Sequence, residues 1–273
     1  MATTIDRPGT EPVHPRPTRR GPWPVEFYRS AVGKKWVMAV TGLMLIGFVA
    51  FHAIGNLKMY LGAEDINHYG EFLRELLVPI LPHTVALWIL RVGLIVAFGL
   101  HIHSAYSLTR MNERARGAGY VQDRDWQAAS AASRTMRWTG IIVGLFILFH
   151  LADLTWGTVN PDFVRGDPYR NLVATFSRPP VVAIYLVANV ALAVHLFHGA
   201  WSMFQSLGLN NPRWNSWRRS FAIGLAVVIG AINLSFPLAV AVGIVSADDN
   251  PDCRTRGDVV VSCTEYQQEE ATP

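Results

Sequence analysis

Nine histidines occur in the 273 residues, and six of them fall in stretches with almost no charge: His52, His101, His103, His150, His195 and His198. An ionisable side chain in an apolar stretch is expensive and commonly functional. The steps from His52 to His101 and from His101 to His150 are each 49 residues, and the next, to His195, is 45. A single such histidine is ordinarily a hydrogen-bonded packing residue or a member of a proton relay. One on each of four consecutive apolar stretches favours paired axial ligation of haem iron.

The elements that must position these histidines follow from composition. Of the residues 51% are hydrophobic and 16% charged, against roughly a quarter charged in ordinary soluble domains, and the mean hydropathy is positive. A soluble enzyme, a nucleic-acid binder and a disulfide-stapled secreted domain are excluded. The expectation is an all-α polytopic membrane protein with five spans, at about 35–57, 84–108, 137–157, 181–207 and 221–245. Several apolar runs reach the ~20 residues of a membrane helix only with their histidine-bearing flanks. Residues 1–27 hold six prolines and no apolar run, so they read as a disordered or surface-lying arm. A transmembrane domain over 28–245 and a polar tail over 246–273 complete the chain. No internal repeat is obvious.

Lysine and arginine set the orientation. The N-terminal arm and its helix entry carry seven, the 109–137 loop six and the 208–220 loop three, which makes 16 on one side against seven on the other. The N-terminus is therefore expected in the cytoplasm and the C-terminus outside, in a multi-pass bacterial-type plasma membrane. Cys253 and Cys263 both lie in the tail assigned outside, where a disulfide can persist.

Spans one to four, joined by short connections, are expected to form an up-down four-helix bundle with spans one and three diagonal and two and four diagonal. His52 lies 16 residues beyond Trp36, and His150 lies 13 beyond Arg137. At 1.5 Å per residue these are about 24 and about 20 Å from the cytoplasmic edge, so the two can meet toward the outer face. His101 lies about 13 Å above that edge, and its partner on span four is His195 or His198. Depth alone leans slightly to His198. Two diagonal pairs at two depths are what two stacked bis-histidine haems require. His103, two positions from His101, points about 200° away and reads as a helix-surface or supporting residue.

Several motifs carry a family likeness. Gly33-Lys34-Lys35, Thr41-Gly42-Leu43, Phe51-His52 and Gly55-Asn56-Leu57 resemble the first span of the di-haem cytochrome b subunit of succinate:quinone oxidoreductases. His101-Ile-His-Ser-Ala-Tyr-Ser-Leu-Thr-Arg, with Asn112-Glu-Arg-Ala-Arg116 and Tyr120, is similar to its second span. His195-Leu-Phe-His198-Gly199-Ala-Trp-Ser202 and Gln205-Ser-Leu-Gly208 resemble its fourth. The resemblance covers about residues 28–245. The long arm, the cysteine-bearing tail, Gly117 and His103 depart from the family pattern.

The resemblance implies two haem b groups, an outer one on His52 and His150 and an inner one on His101 and His195, so it selects His195 over His198. It implies a flavoprotein and an iron–sulfur subunit docked on the cytoplasmic side. Electrons would pass from the iron–sulfur subunit through the haems to a membrane quinone, with menaquinone the expected type. Succinate chemistry would belong to the partners, since this chain has neither a dinucleotide fingerprint nor an iron–sulfur cysteine cluster.

Weaker candidates surround this core. Arg91 can pair with an outer-haem propionate or simply snorkel to the interface. Ser30, Lys34 and Lys35 can serve propionates or, as favoured here, ordinary positive-inside anchoring. Glu71 is a candidate for proton delivery to a quinone, against the plainer reading of a solvated acidic loop. Two other classes remain: the cytochrome b anchor of a hydrogenase or formate dehydrogenase, and a haem-free transporter with a histidine proton relay.

Overall fold

The computed structural model describes residues 21–115, 128–209 and 211–247. Part of the Pro-rich arm, the middle of the 109–137 loop with Gly117 and Tyr120, and the tail with Cys253 and Cys263 lie outside the described residues. The chain is all-α, with no strand among the described residues. It forms α1 (Trp23–Arg29), α2 (Ala31–Asn56), α3 (Ala63–Arg74), α4 (Val85–Ala115), α5 (Ala128–Leu154), α6 (Pro168–Phe176), α7 (Pro179–Ser206) and α8 (Asn215–Ala241). Five of these, α2, α4, α5, α7 and α8, are long and apolar enough to cross a membrane.

Local chemistry sets the ends. Ser30 caps α2 by accepting from the Gly33 amide at 2.9 Å, the side-chain substitute for a missing helical acceptor. Asp167 caps α6 through Arg170 N at 3.0 Å. Prolines stand in the first turns of α6 and α7, where a missing N–H costs nothing.

Two helices overrun the spans expected from sequence. α4 continues to Ala115 where 108 was expected, and α5 begins at Ala128 where 137 was expected. Charge ends a membrane run without ending a helix. Glu113 pairs with Arg110 at 3.8 Å and with Arg137 at 4.0 Å, linking the polar ends of α4 and α5. The arm also becomes helical at Trp23, inside its expected boundary.

The spans meet through small side chains: Ala39, Thr41, Ala53, Ala97, Ser104, Ala188, Ala191, Ala200, Ala222 and Ala226 are buried. Large apolar residues on every span, such as Phe51, Ile95, Leu145, Val187 and Val227, face outward. This inversion of the soluble pattern is how helices approach closely in lipid, where apolar burial gives no drive. α2 packs along α4, α5 along α7, and α2 touches α7, while α8 lies against α7. The α2–α5 and α4–α7 pairs thus stand on the diagonals.

The connections are not plain loops. α3 and α6 close one end of the bundle around a cluster that includes Met59, Ile66, Tyr169, Val173, Phe176, Tyr185 and Phe236. Asn67 clamps the two short helices, donating to Asp167 at 3.1 Å and accepting from Tyr169 N at 3.1 Å.

Candidate functional site

Two histidine pairs face each other across the diagonals of the bundle. The His101 and His195 ring centres are 6.4 Å apart, and those of His52 and His150 are 5.9 Å apart. His198 does not join a pair: it contacts Phe197 and lies 3.3 Å from the Thr135 hydroxyl. Three residues separate His195 from His198, and that rotation is enough to turn one into the bundle and the other toward its neighbour on α5.

The hydrogen bonds around His101 and His195 fix which ring nitrogen can act. Thr41 spends its own proton on the Val37 carbonyl at 2.7 Å, so its oxygen can only accept from His101 Nδ1, 3.3 Å away. The Met38 carbonyl, which also only accepts, is 3.2 Å from the same nitrogen. Nδ1 of His101 therefore carries the proton and Nε2 presents a lone pair. The partner histidine of the same pair repeats the device. Thr139 donates to the Thr135 carbonyl at 2.8 Å and stands 3.4 Å from His195 Nδ1. A glycine follows each threonine. A Cβ on Gly42 would lie 3.3 Å from His101 Cε1, and one on Gly140 would lie 3.4 Å from His195 Cε1. A Cβ at Gly42 would press on its imidazole, and one at Gly140 would just touch its own.

This threonine-side pair exposes a signal that the sequence held. Met38, Thr41, Gly42 and His52 recur at Met136, Thr139, Gly140 and His150, each 98 residues later. The expectation of no repeat is corrected for α2 and α5. Eleven residues separate Thr41 from His52, three turns and about 16 Å of rise. One helix face thus contributes a cradle to one level and a histidine to the other.

The tyrosine-side pair is supported differently. His150 Nδ1 is 3.2 Å from the Tyr185 hydroxyl, and Tyr185 donates to Asp153 Oδ2 at 3.4 Å. Asp153 is fully buried, accepts from Thr175 at 2.9 Å and forms an ion pair with Arg178. Arg178 also donates to the Val159 carbonyl at 2.9 Å. A carboxylate only accepts, so the Tyr185 oxygen receives the His150 Nδ1 proton and Nε2 presents its lone pair. His52 lacks this support: its Nε2 lies 3.3 Å from the Asn56 amide nitrogen. Asp153 is three residues past His150, on the same helix face. That spacing is the signal sequence reasoning passed over.

The remaining candidates lie apart from both pairs. His103 Nδ1 is 2.5 Å from the Tyr28 hydroxyl on α1, with the rings stacked. Lys34 donates to the Tyr28 carbonyl at 3.2 Å and lies over its ring, so it fastens α1 to α2. Lys35 lines a cleft of ≈ 360 Å³ with Val32, Ser202, Gln205 and Ser206. Arg91 is exposed over the Trp88 ring, and exposed Glu71 pairs with Arg74.

The donor set favours one kind of metal group. Among the described residues no group of three or more His, Cys, Asp or Glu converges, whereas a protein-bound ion such as zinc takes three or four protein ligands. A metal whose equatorial positions are filled by a macrocycle needs only two. With a metal–nitrogen bond of about 2 Å and about 1 Å from nitrogen to ring centre, imidazoles on opposite faces of one metal stand about 6 Å apart. Both pairs have that separation.

Residues 108–234 match the family described as succinate dehydrogenase/fumarate reductase transmembrane subunit. The matched segment contains His150 and His195 and begins after His52 and His101. No curated protein and no solved structure matches the chain significantly. The matched segment runs from the end of α4 into α8, and over it this chain of five membrane-length helices is similar to the succinate dehydrogenase/fumarate reductase transmembrane subunits.

Proposed function

We propose that this chain is the haem-carrying membrane anchor of a succinate:quinone oxidoreductase, with one haem b between His101 and His195 and a second between His52 and His150. The observation that carries the proposal is the pair of facing imidazoles on each diagonal, three of the four with Nδ1 engaged so that Nε2 is left for iron. Haem bound there would supply one-electron transfer between the complex's soluble redox subunits and a quinone, menaquinone by expectation. The chain itself holds the axial ligands, sets their tautomers and keeps water out with its apolar helices.

The excess of basic residues at the α2 N-terminus and in the 109–137 and 208–220 connections supports a cytoplasmic N-terminus in a bacterial-type plasma membrane. A flavoprotein and an iron–sulfur subunit would dock on that basic face. The Lys35 cleft opens at the same end of α2 and is of a size that suits a small ligand. Arg91 on Trp88 fits interfacial anchoring better than a propionate contact. Glu71 keeps its role as a proton-delivery candidate on the opposite side.

A reduced-minus-oxidised spectrum of the purified complex tests the proposal. The expected result is b-type bands from two bis-histidine haems, together with co-purified flavin and iron–sulfur proteins. A complex without b-type absorbance overturns it. Two haems with a different catalytic partner would assign the chain to another respiratory complex.

A further inference from the structure

The two histidine levels differ in the charge that backs their ligands. On the threonine side the Nδ1 protons of His101 and His195 go to neutral acceptors, a hydroxyl oxygen and a peptide carbonyl. On the tyrosine side the Nδ1 proton of His150 goes to Tyr185, whose own proton goes to the buried carboxylate of Asp153. Thr175 and Arg178 hold that carboxylate in place. An imidazole that donates toward an anion is a more electron-rich ligand than one that donates to a neutral oxygen.

We propose that Tyr185 and Asp153 are positioning residues that orient His150 and make the metal group on the tyrosine side harder to reduce than the one on the threonine side. Reduction adds one electron to the iron, and the buried anion at the end of the Nδ1–hydroxyl–carboxylate chain opposes that added negative charge. The inference rests on the haem reading above and adds to it which haem has the lower potential and which side chains lower it. Arg178 offsets part of the carboxylate's field through its ion pair with one oxygen, while the other oxygen accepts from the Tyr185 hydroxyl.

A redox titration followed at the b-type bands, on the complete complex in membranes, tests it. Tyr185→Phe keeps the ring that packs against Phe146, Phe149 and Phe176 and removes only the hydroxyl. The unsubstituted complex is expected to show two components of different midpoint potential. In Y185F the lower one should move upward and the other stay in place. The component that moves should be the one missing from His150→Ala. Asp153→Asn should move the same component in the same direction, and Y185F carries the test should that variant fail to assemble. An unmoved pair of components in Y185F, or a shift in the component lost with His101→Ala, overturns the inference and leaves the haem reading intact. Absence of b-type bands from the unsubstituted complex overturns the haem reading itself, before any variant is compared.

Discussion

The two histidine levels of this bundle are built on one sequence repeat and yet are supported in different ways. At the threonine level, α2 and α5 each present the same Met-x-x-Thr-Gly cradle to an imidazole from the helix packed beside them, so both rings are fixed alike. At the tyrosine level, His150 is fixed by a chain that leads through Tyr185 and Asp153 to Arg178 and Thr175 of α6, while His52 has the Asn56 amide beside Nε2 and the Phe48 ring stacked on it. A repeat within the membrane helices supplies symmetry. Residues outside the repeated positions supply the difference: Asp153 near the end of α5, Tyr185 on α7, and Thr175 and Arg178 in the connection between those helices. The level that lies against α3 and α6 is the one with a charge in its supporting shell.

The strongest way to break this comparison is to remove ligands one at a time. His101→Ala and His195→Ala should each abolish the same b-type component and keep the other, about half the haem per complex. His52→Ala and His150→Ala should abolish the complementary one. His103→Ala and His198→Ala should retain both, because His103 is bonded to Tyr28 and His198 to Thr135 outside the pairs. A complex that keeps both haems without His195 and loses one without His198 would overturn the pairing on the α4–α7 diagonal.

A second variant separates the levels by stability. Arg178 is 24% exposed and its partner Asp153 is 0% exposed, so Arg178→Ala would leave a buried carboxylate uncompensated. Such breaks cost about 3–5 kcal/mol, and the partial exposure of Arg178 puts the expected loss near the lower end. Thermal inactivation in detergent, followed by haem absorbance, should show the tyrosine-side component lost at the lower temperature. Arg178→Ala combined with Asp153→Asn should recover much of the loss, since no unpaired charge then remains. Equal loss of both components would mean that the ion pair stabilises the whole bundle and not one level.

How much of this was legible in the sequence follows from the physics of each feature. The five spans and the histidine on each of four were readable because lipid demands long apolar runs, and a histidine in such a run stands out. The choice between His195 and His198 was not readable from depth, since three residues along a helix change height by only about 4.5 Å while turning the side chain to another direction. The α3–α6 cap was missed because short amphipathic helices in a polar connection look like solvated loop. Asp153 falls within the third expected span, Arg178 counts only as one of the outer-side basic residues, and Tyr185 falls within the fourth span, with nothing in the sequence to single any of them out. Their connection joins residues 153, 175, 178 and 185 through space, and no periodicity records it.

The smallest expected effect bears on the symmetric half of the comparison. Thr41→Val and Thr139→Val keep side-chain volume and shape while removing one acceptor from His101 and His195. Each hydrogen bond contributes about 1 kcal/mol net, and His101 keeps the Met38 carbonyl at 3.2 Å. Both variants should therefore retain two haems and shift only the threonine-side potential, slightly upward and by similar amounts. Gly42→Ala is the harsher companion, because its Cβ would lie 3.3 Å from His101 Cε1 and the ring would have to yield. If Thr41→Val and Thr139→Val shift that component unequally, the two cradles are equivalent in sequence only, and the asymmetry that α6 brings to one level extends through α5 to the other.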